Sequence, residues 1–194
     1  APGPWHMIAL ETRRLLLLPA HPRLARAALE YYTRNRDWLQ PWEPAYPPDL
    51  CTLACQKRRM RWDRDMARRG EGIRFWLARK EDPGTLIGTV CLSGVLRGSV
   101  GSCYVGYKLD RDHLCRGYMT EALNAAVEFA FHGLGLHRVE ADIMPRNAPS
   151  LALAKKCGFA EEGLARQFLA VNGVWEDHLR LARLDPDRAP DAPF

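Results

Sequence analysis

Long apolar runs are missing from this chain. The longest near its start, Leu15-Leu16-Leu17-Leu18, has four residues and stops at Pro19. A membrane-spanning helix needs about 20 apolar residues, and a secretory leader needs a longer apolar core, so neither is expected. A Cys-x-x-Cys pair is missing too. The six cysteines (Cys51, Cys55, Cys91, Cys103, Cys115 and Cys157) are scattered. Cys51 and Cys55 stand one helical turn apart, with no second pair to complete a zinc site. We therefore expect reduced cysteines in a cytoplasmic protein without metal. Repeats and internal linkers are also absent, which excludes a solenoid and points to a single domain.

What is present suits a globular fold. The chain has 194 residues, 47% of them hydrophobic and 26% charged, enough for one sizeable core. The formal charge of +5 hints only weakly at an acidic partner. Residues 1–6 (APGPWH) read as a cloning remnant and are set aside. Residues 7–184 read as the domain, and residues 185–194, rich in proline and aspartate, as a disordered tail.

Periodicity supplies the element order. Ile8 to Leu18 reads as a strand, and Pro22 to Arg34 as a helix with proline at its start. A proline-broken loop follows, from Asn35 to Pro48. Asp49 to Arg69 reads as a second helix, with Asp49 as N-cap and Gly70 past its end. Ile73–Arg79 and Leu86–Leu92 read as strands joined by a hairpin at Glu81-Asp82-Pro83-Gly84, and Ser102–Leu109 as a third. Then come a helix over Tyr118–His132, a strand over His137–Met144 and a helix over Pro149–Cys157. Two last strands, Phe159–Val171 and Val174–Leu184, flank the hairpin pair Asn172-Gly173. The fold class is mixed α/β in one domain.

One junction can carry chemistry. The strand ending at Leu109 runs through residues 110–117 into a helix, and a helix start presents unpaired N–H groups and a positive dipole end. Gly117 allows close approach of a bulky anion, and Arg116 adds a cation. Such a loop can cradle a diphosphate. It can equally be an ordinary βα turn.

The wider pattern decides between these. Gly117-x-x-Thr120-Glu121-Ala122 is followed by Pro145-Arg146-Asn147-Ala148-Pro149-Ser150 and by Gly158-Phe159-Ala160-Glu161-Glu162-Gly163. This order resembles the GNAT acetyltransferase superfamily, and the Asn-x-x-Ser and Gly-Phe-x-x-Glu-Gly stretches resemble its RimJ/RimL branch. Asn35-Arg36-Asp37-Trp38-Leu39-Gln40-Pro41-Trp42 is similar to a segment typical of that branch. Ser102 to Tyr107 and Gly173 to His178 are closer to its RimJ members, which acetylate the N-terminal alanine of ribosomal protein S5.

The resemblance implies a mostly antiparallel twisted sheet with a splayed parallel strand pair, flanked by helices. It implies acetyl-CoA as co-substrate, with its pantetheine arm beside Val105, Gly106 and Tyr107. Its diphosphate would lie on the amides of Leu114, Cys115, Arg116, Gly117, Tyr118, Met119 and Thr120. A backbone N–H near Tyr107 would hold the oxyanion. Asn147 would bond the pantetheine, and Ser150 would protonate the leaving thiolate. Ser150 could instead cap or pack its helix. A base must deprotonate the amine; Asp142 is the first choice and Glu43 the second. Two loop positions depart from the family pattern, Leu114 and Cys115, and Cys115 is read as a packing residue. His178 and His137 are read as structural. The implied acceptor is the N-terminus of a ribosomal protein, and the enzyme a monomer or homodimer. The alternatives are a small amine as acceptor, or a non-catalytic CoA-sensing or RNA-associated module. The basic run Lys57 to Arg69 is expected to be a solvated helix face, with contact to ribosomal RNA as the sharper possibility.

Overall fold

The structure is a computed structural model that describes residues 4–190. Eight strands form one sheet: β1 (Leu10–Glu11), β2 (Leu15–Pro19), β3 (Ile73–Arg79), β4 (Asp82–Leu96), β5 (Ser102–Leu109), β6 (Arg138–Ile143), β7 (Ala160–Val171) and β8 (Val174–Leu184). Their order is β1-β2-β3-β4-β5-β6-β8-β7. β5 and β6 are parallel, and the other neighbours are antiparallel. Four helices cover the faces: α1 (Ala25–Leu39), α2 (Leu53–Arg69), α3 (Tyr118–Glu128) and α4 (Ala148–Lys156).

Strand alternation divides the interior into two cores. Ile73, Phe75 and Leu77 of β3 point to one face and meet Ala122, Leu123, Ala126 and Val127 of α3. Trp76 and Ala78 point to the other and meet Ala28, Tyr31 and Tyr32 of α1 and Met60 of α2. β3 is thus covered on both sides, which is why it reads as a nearly continuous apolar run. Each of its fully buried aliphatic side chains contributes about 1.5–3 kcal/mol.

Several boundaries differ from expectation for local reasons. The single first strand is a hairpin, because Thr12 turns the chain: its N–H donates to the Leu15 carbonyl at 3.0 Å, and its hydroxyl accepts from the Leu15 N–H at 3.0 Å. α1 runs five residues beyond Arg34, with Asn35 and Leu39 buried on its inner side. Thr52, not Asp49, caps α2, accepting from the Cys55 N–H at 3.2 Å, while Asp49 pairs with Arg58 at 3.0 Å. Gly70 closes α2 in the left-handed conformation, φ 73°. The β3–β4 turn falls at Lys80-Glu81, since Arg79 already faces Asp82. The third helix continues past Glu128 as a wider π turn over Phe129–Gly133.

The segments set aside at the two ends are partly built in. Trp5 is buried in the first core, with Arg97 5.2 Å from its ring centroid. The Asp185 N–H donates to the His137 carbonyl at 2.8 Å, and the Arg188 guanidinium lies against Gly135. Residues 1–3 and 191–194 lie outside the described residues. Among the described residues no helix is long and apolar enough to cross a membrane.

Candidate active site

The loop after β5 is held at its root by α1. Asp110 is 2% exposed and accepts from Arg34 Nη2 at 2.9 Å, Arg34 Nε at 3.2 Å and the Asp112 N–H at 2.9 Å. Asn35 Oδ1 accepts from the Arg111 N–H at 3.0 Å. Burial opposes ionisation of Asp110, but these donors outweigh it and hold the carboxyl below its usual range. The chain then passes through two left-handed residues, Cys115 (φ 58°) and Gly117 (φ 78°), on either side of Arg116. α3 starts at Tyr118 with no side-chain cap. Paired left-handed turns make successive N–H groups converge, and the helix dipole adds positive potential, an arrangement able to receive an anion.

A second cation flanks the loop that the sequence reading missed. Arg14, in the β1–β2 turn, lies 4.4 Å from the Tyr118 ring centroid. Its Nη2 is 3.3 Å from where a Cβ on Gly117 would stand. Glu121 fixes it by accepting from Arg14 Nε at 2.9 Å, Arg14 N–H at 2.7 Å and Thr12 Oγ1 at 2.5 Å. Cys115, expected to pack, is exposed, because the left-handed turn lifts it off the core.

β5 and β6 pair over three positions only: Ser102 with Arg138, Cys103 with Val139 and Tyr104 with Glu140. Beyond these, Val105, Gly106 and Tyr107 remain paired with β4, and Ala141, Asp142 and Ile143 with β8. Their facing edges separate. Two such edges can hydrogen-bond an extended amide-bearing chain as a strand would. At this gap the Tyr107 hydroxyl donates to the Ser150 carbonyl at 2.9 Å and accepts from Ser150 Oγ at 3.0 Å. Burial pushes the Tyr107 phenol up to about 12, so it is protonated at neutral pH. Asn147 Oδ1 accepts from the Ser150 N–H at 3.4 Å and so caps α4, which leaves the Ser150 hydroxyl to Tyr107.

On the other face of the sheet a cavity of about 360 Å³ opens beside Gly106 and Tyr107. Glu43 lines it, with its carboxylate 3.2 Å from Lys108 Nζ. Lys108 also donates to the Tyr32 hydroxyl at 2.8 Å. Burial works against its charge, but Glu43 and Tyr32 outweigh that and raise its pKa. Lys108 alternates with Gly106 along β5, and that period of two was the signal by which it could have been found.

Asp142 does not line this cavity. It sits on β6 with a side chain 6% exposed, accepting from Arg180 Nε at 3.3 Å. Burial first, then the neighbouring Glu140, push its carboxyl up to about 6. The structure thus separates the two expected bases: Glu43 has the position and Asp142 the titration. His178 is buried with Nδ1 2.9 Å from the Glu176 carbonyl. His137 lies just ahead of β6, its ring beside Gly101.

The β7–β8 hairpin reaches across this region. The Asn172 N–H donates to the Glu43 carbonyl at 2.8 Å, and Arg146 bridges Glu176 at 3.1 Å and the Pro41 carbonyl at 3.3 Å. The Arg146 guanidinium also lies 4.9 Å from the Trp42 ring centroid. Trp38 is exposed on α1 rather than in the loop, and Tyr46 anchors the loop to the second core. Several arginines of the basic run have local partners: Arg58 pairs with Asp49, Arg68 with Asp65 and Arg69 with Glu71. Among the described residues no group of three His, Cys, Asp or Glu side chains could hold a metal ion.

The family described as the acetyltransferase (GNAT) domain matches residues 14–160. The chain is 37% identical over 178 residues to the probable N-acetyltransferase YjcK of Bacillus subtilis, covering 92% of this chain and 98% of that protein. It is 34% identical over 183 residues to the Escherichia coli [ribosomal protein uS5]-alanine N-acetyltransferase, covering 94% of each. Among solved structures, Mycobacterium smegmatis RimJ in complex with CoA-disulfide superposes with a TM-score of 0.84 at 29% identity, over 91% of this chain and 86% of that one.

Proposed function

We propose, from the premise that this chain belongs to the acetyltransferase (GNAT) family, that it acetylates the N-terminal amine of a ribosomal protein, with an S5-like alanine as the leading acceptor. That it is an acetyltransferase using acetyl-CoA follows from the family itself. The observation that carries the rest is the opened β5–β6 edge, lying between an uncapped helix start and an acceptor-side cavity whose Glu43 loop is tied to the β7–β8 hairpin. A hairpin strapped to the Glu43 loop favours an acceptor that enters end first, as a peptide terminus does.

In this reading the residues divide the work. Amides from Leu114 to Thr120, with Arg116 and Arg14, bind the diphosphate. The exposed edge at Val105, Gly106 and Tyr107 pairs with the pantetheine, which Asn147 also bonds, and a backbone N–H near Tyr107 steadies the oxyanion. Ser150 gives a proton to the departing thiolate and takes one back from the nitrogen of the tetrahedral intermediate, while the Tyr107 hydroxyl, accepting from Ser150 Oγ, orients it. Glu43 receives the incoming ammonium, and Asp142, poised near neutral pH, takes its proton through water. Contact with ribosomal RNA through residues 57–69 has less support, since several of those arginines already pair with nearby carboxylates. Activity on an assembled ribosomal target that falls steeply with salt, while activity on a free peptide does not, would favour it.

The test is release of free thiol from acetyl-CoA on adding acceptors. Turnover with an S5-like N-terminal peptide is expected. Turnover confined to small amines, or acetyl-CoA binding with no turnover at all, would overturn the proposal.

A further inference from the structure

The acceptor-side cavity is lined by three cations, and their pairing is unequal. Arg74 Nε is 2.9 Å from Asp63, and Lys108 Nζ is 3.2 Å from Glu43. Arg59 has no such partner. Its Nη2 donates to the Tyr32 hydroxyl at 3.3 Å and its guanidinium lies 5.4 Å from the Tyr32 ring centroid, with no carboxylate in ion-pair range among the described residues. The cavity therefore holds one positive charge in excess. Tyr46 lines the same space, and its buried hydroxyl has no hydrogen-bond partner among the described residues.

A guanidinium is a donor without acceptor capacity, with a planar fork that matches a carboxylate. A phenol hydroxyl with nothing to donate to supplies one further O–H donor. Burial raises the Tyr46 pKa, so that proton stays in place at neutral pH. These groups share one cavity with Gly106 and Tyr107, the end of the strand edge beside which the thioester would lie.

We propose that Arg59, with the Tyr46 hydroxyl, forms a subsite for a carboxylate carried by the acceptor a few bonds from its amine. This rests on the acetyltransferase reading above and narrows it. In a peptide the carboxylate is an acidic side chain next to the terminal residue; in a small acceptor it is the carboxylate of an amino acid. Polyamines are disfavoured, because each added ammonium meets the unpaired guanidinium.

The experiment compares charged and neutral isosteres. C-terminally amidated peptides beginning Ala-Asp or Ala-Glu are assayed against Ala-Asn and Ala-Gln, with free alanine against alaninamide as the small-molecule arm and spermidine as the cation. The acidic member of the preferred arm is expected to show a kcat/KM about ten- to a hundred-fold higher, the range for a hydrogen bond to a charged group. Arg59→Gln should bring that ratio toward one, chiefly through KM, and Arg59→Lys should retain part of it. Arg59→Glu should shift the preference toward cationic acceptors.

Equal turnover of acids and amides by the unaltered protein overturns the subsite while leaving the acetyltransferase reading intact, and so does a ratio that survives Arg59→Gln. Acetyl-CoA binding without turnover of any amine overturns both. If the Arg59 variants fail to fold, the isostere ratio of the unaltered protein still decides.

Discussion

Asp142 offers the sharpest test of the electrostatics drawn here. Its carboxyl moves from 3.8 to about 6 on folding, mainly through burial and then through Glu140 on the same strand. A carboxyl raised on folding stabilises the protein while protonated: the contribution is complete below about pH 4 and is lost as pH rises through 6. At about 1.4 kcal/mol per pH unit the loss amounts to roughly 3 kcal/mol by neutral pH. Asp142→Asn has no charge to bury, so it escapes that loss. The pull of Arg180 on the ionised carboxylate opposes that rise and is already contained in the net value of about 6. Urea midpoints of the two proteins should therefore diverge steadily between pH 4.5 and 7, with the asparagine variant gaining, and then run level. Parallel curves would remove the buried-carboxyl argument. A wild type that gains on the variant as pH rises would show the Arg180 pair winning instead. If Asp142 also takes the acceptor's proton, kcat/KM should rise through about pH 6 in the wild type and lose that step in the variant.

Other consequences are as direct. Ser150→Ala should lower kcat while leaving acetyl-CoA binding nearly unchanged, and an unaltered kcat removes Ser150 from the mechanism; Tyr107→Phe should reproduce part of the loss if the phenol orients the Ser150 hydroxyl. Gly117→Val forces a β-branched residue into φ 78° and brings its Cβ to 3.3 Å from Arg14. It should cost about 1–3 kcal/mol in thermal denaturation and raise the KM for acetyl-CoA several-fold. Asp110→Ala strips the partner from Arg34 at the root of the same loop. Arg34 stays partly solvated and keeps the Leu86 carbonyl, so a loss of about 1–3 kcal/mol is expected in chemical denaturation, and a loss below about 0.5 kcal/mol would show that the loop does not depend on Asp110. Thr52→Ala removes the cap of α2 and should cost about 1 kcal/mol by the same measurement.

The elements with strong periodicity were legible in the chain. β3 and β5 fall where alternation placed them, and Gly70 ends α2 as a left-handed glycine should. The errors concentrate where a long-range partner overrides local preference. Residues 35–39 read as loop because prolines follow them, yet burial of Asn35 and Leu39 against the sheet extends α1 through them. Cys115 looked like a small apolar filler, but the turn it occupies points it outward.

For the site, the order of motifs was enough to indicate the family and its kind of chemistry, and to single out the left-handed turn before α3 and the Asn147-capped start of α4, because these depend on short stretches of backbone. Nothing local could reveal that Arg14 reaches the loop from a turn more than 100 residues away, or that Arg59 of α2, Lys108 of β5 and Glu43 share one cavity. Charge pairing is a property of distance in space. Which cations are neutralised and which carboxylate is held near 6 were decided only when the sheet and helices brought distant side chains within a few ångströms, where burial removes the water that would otherwise screen them.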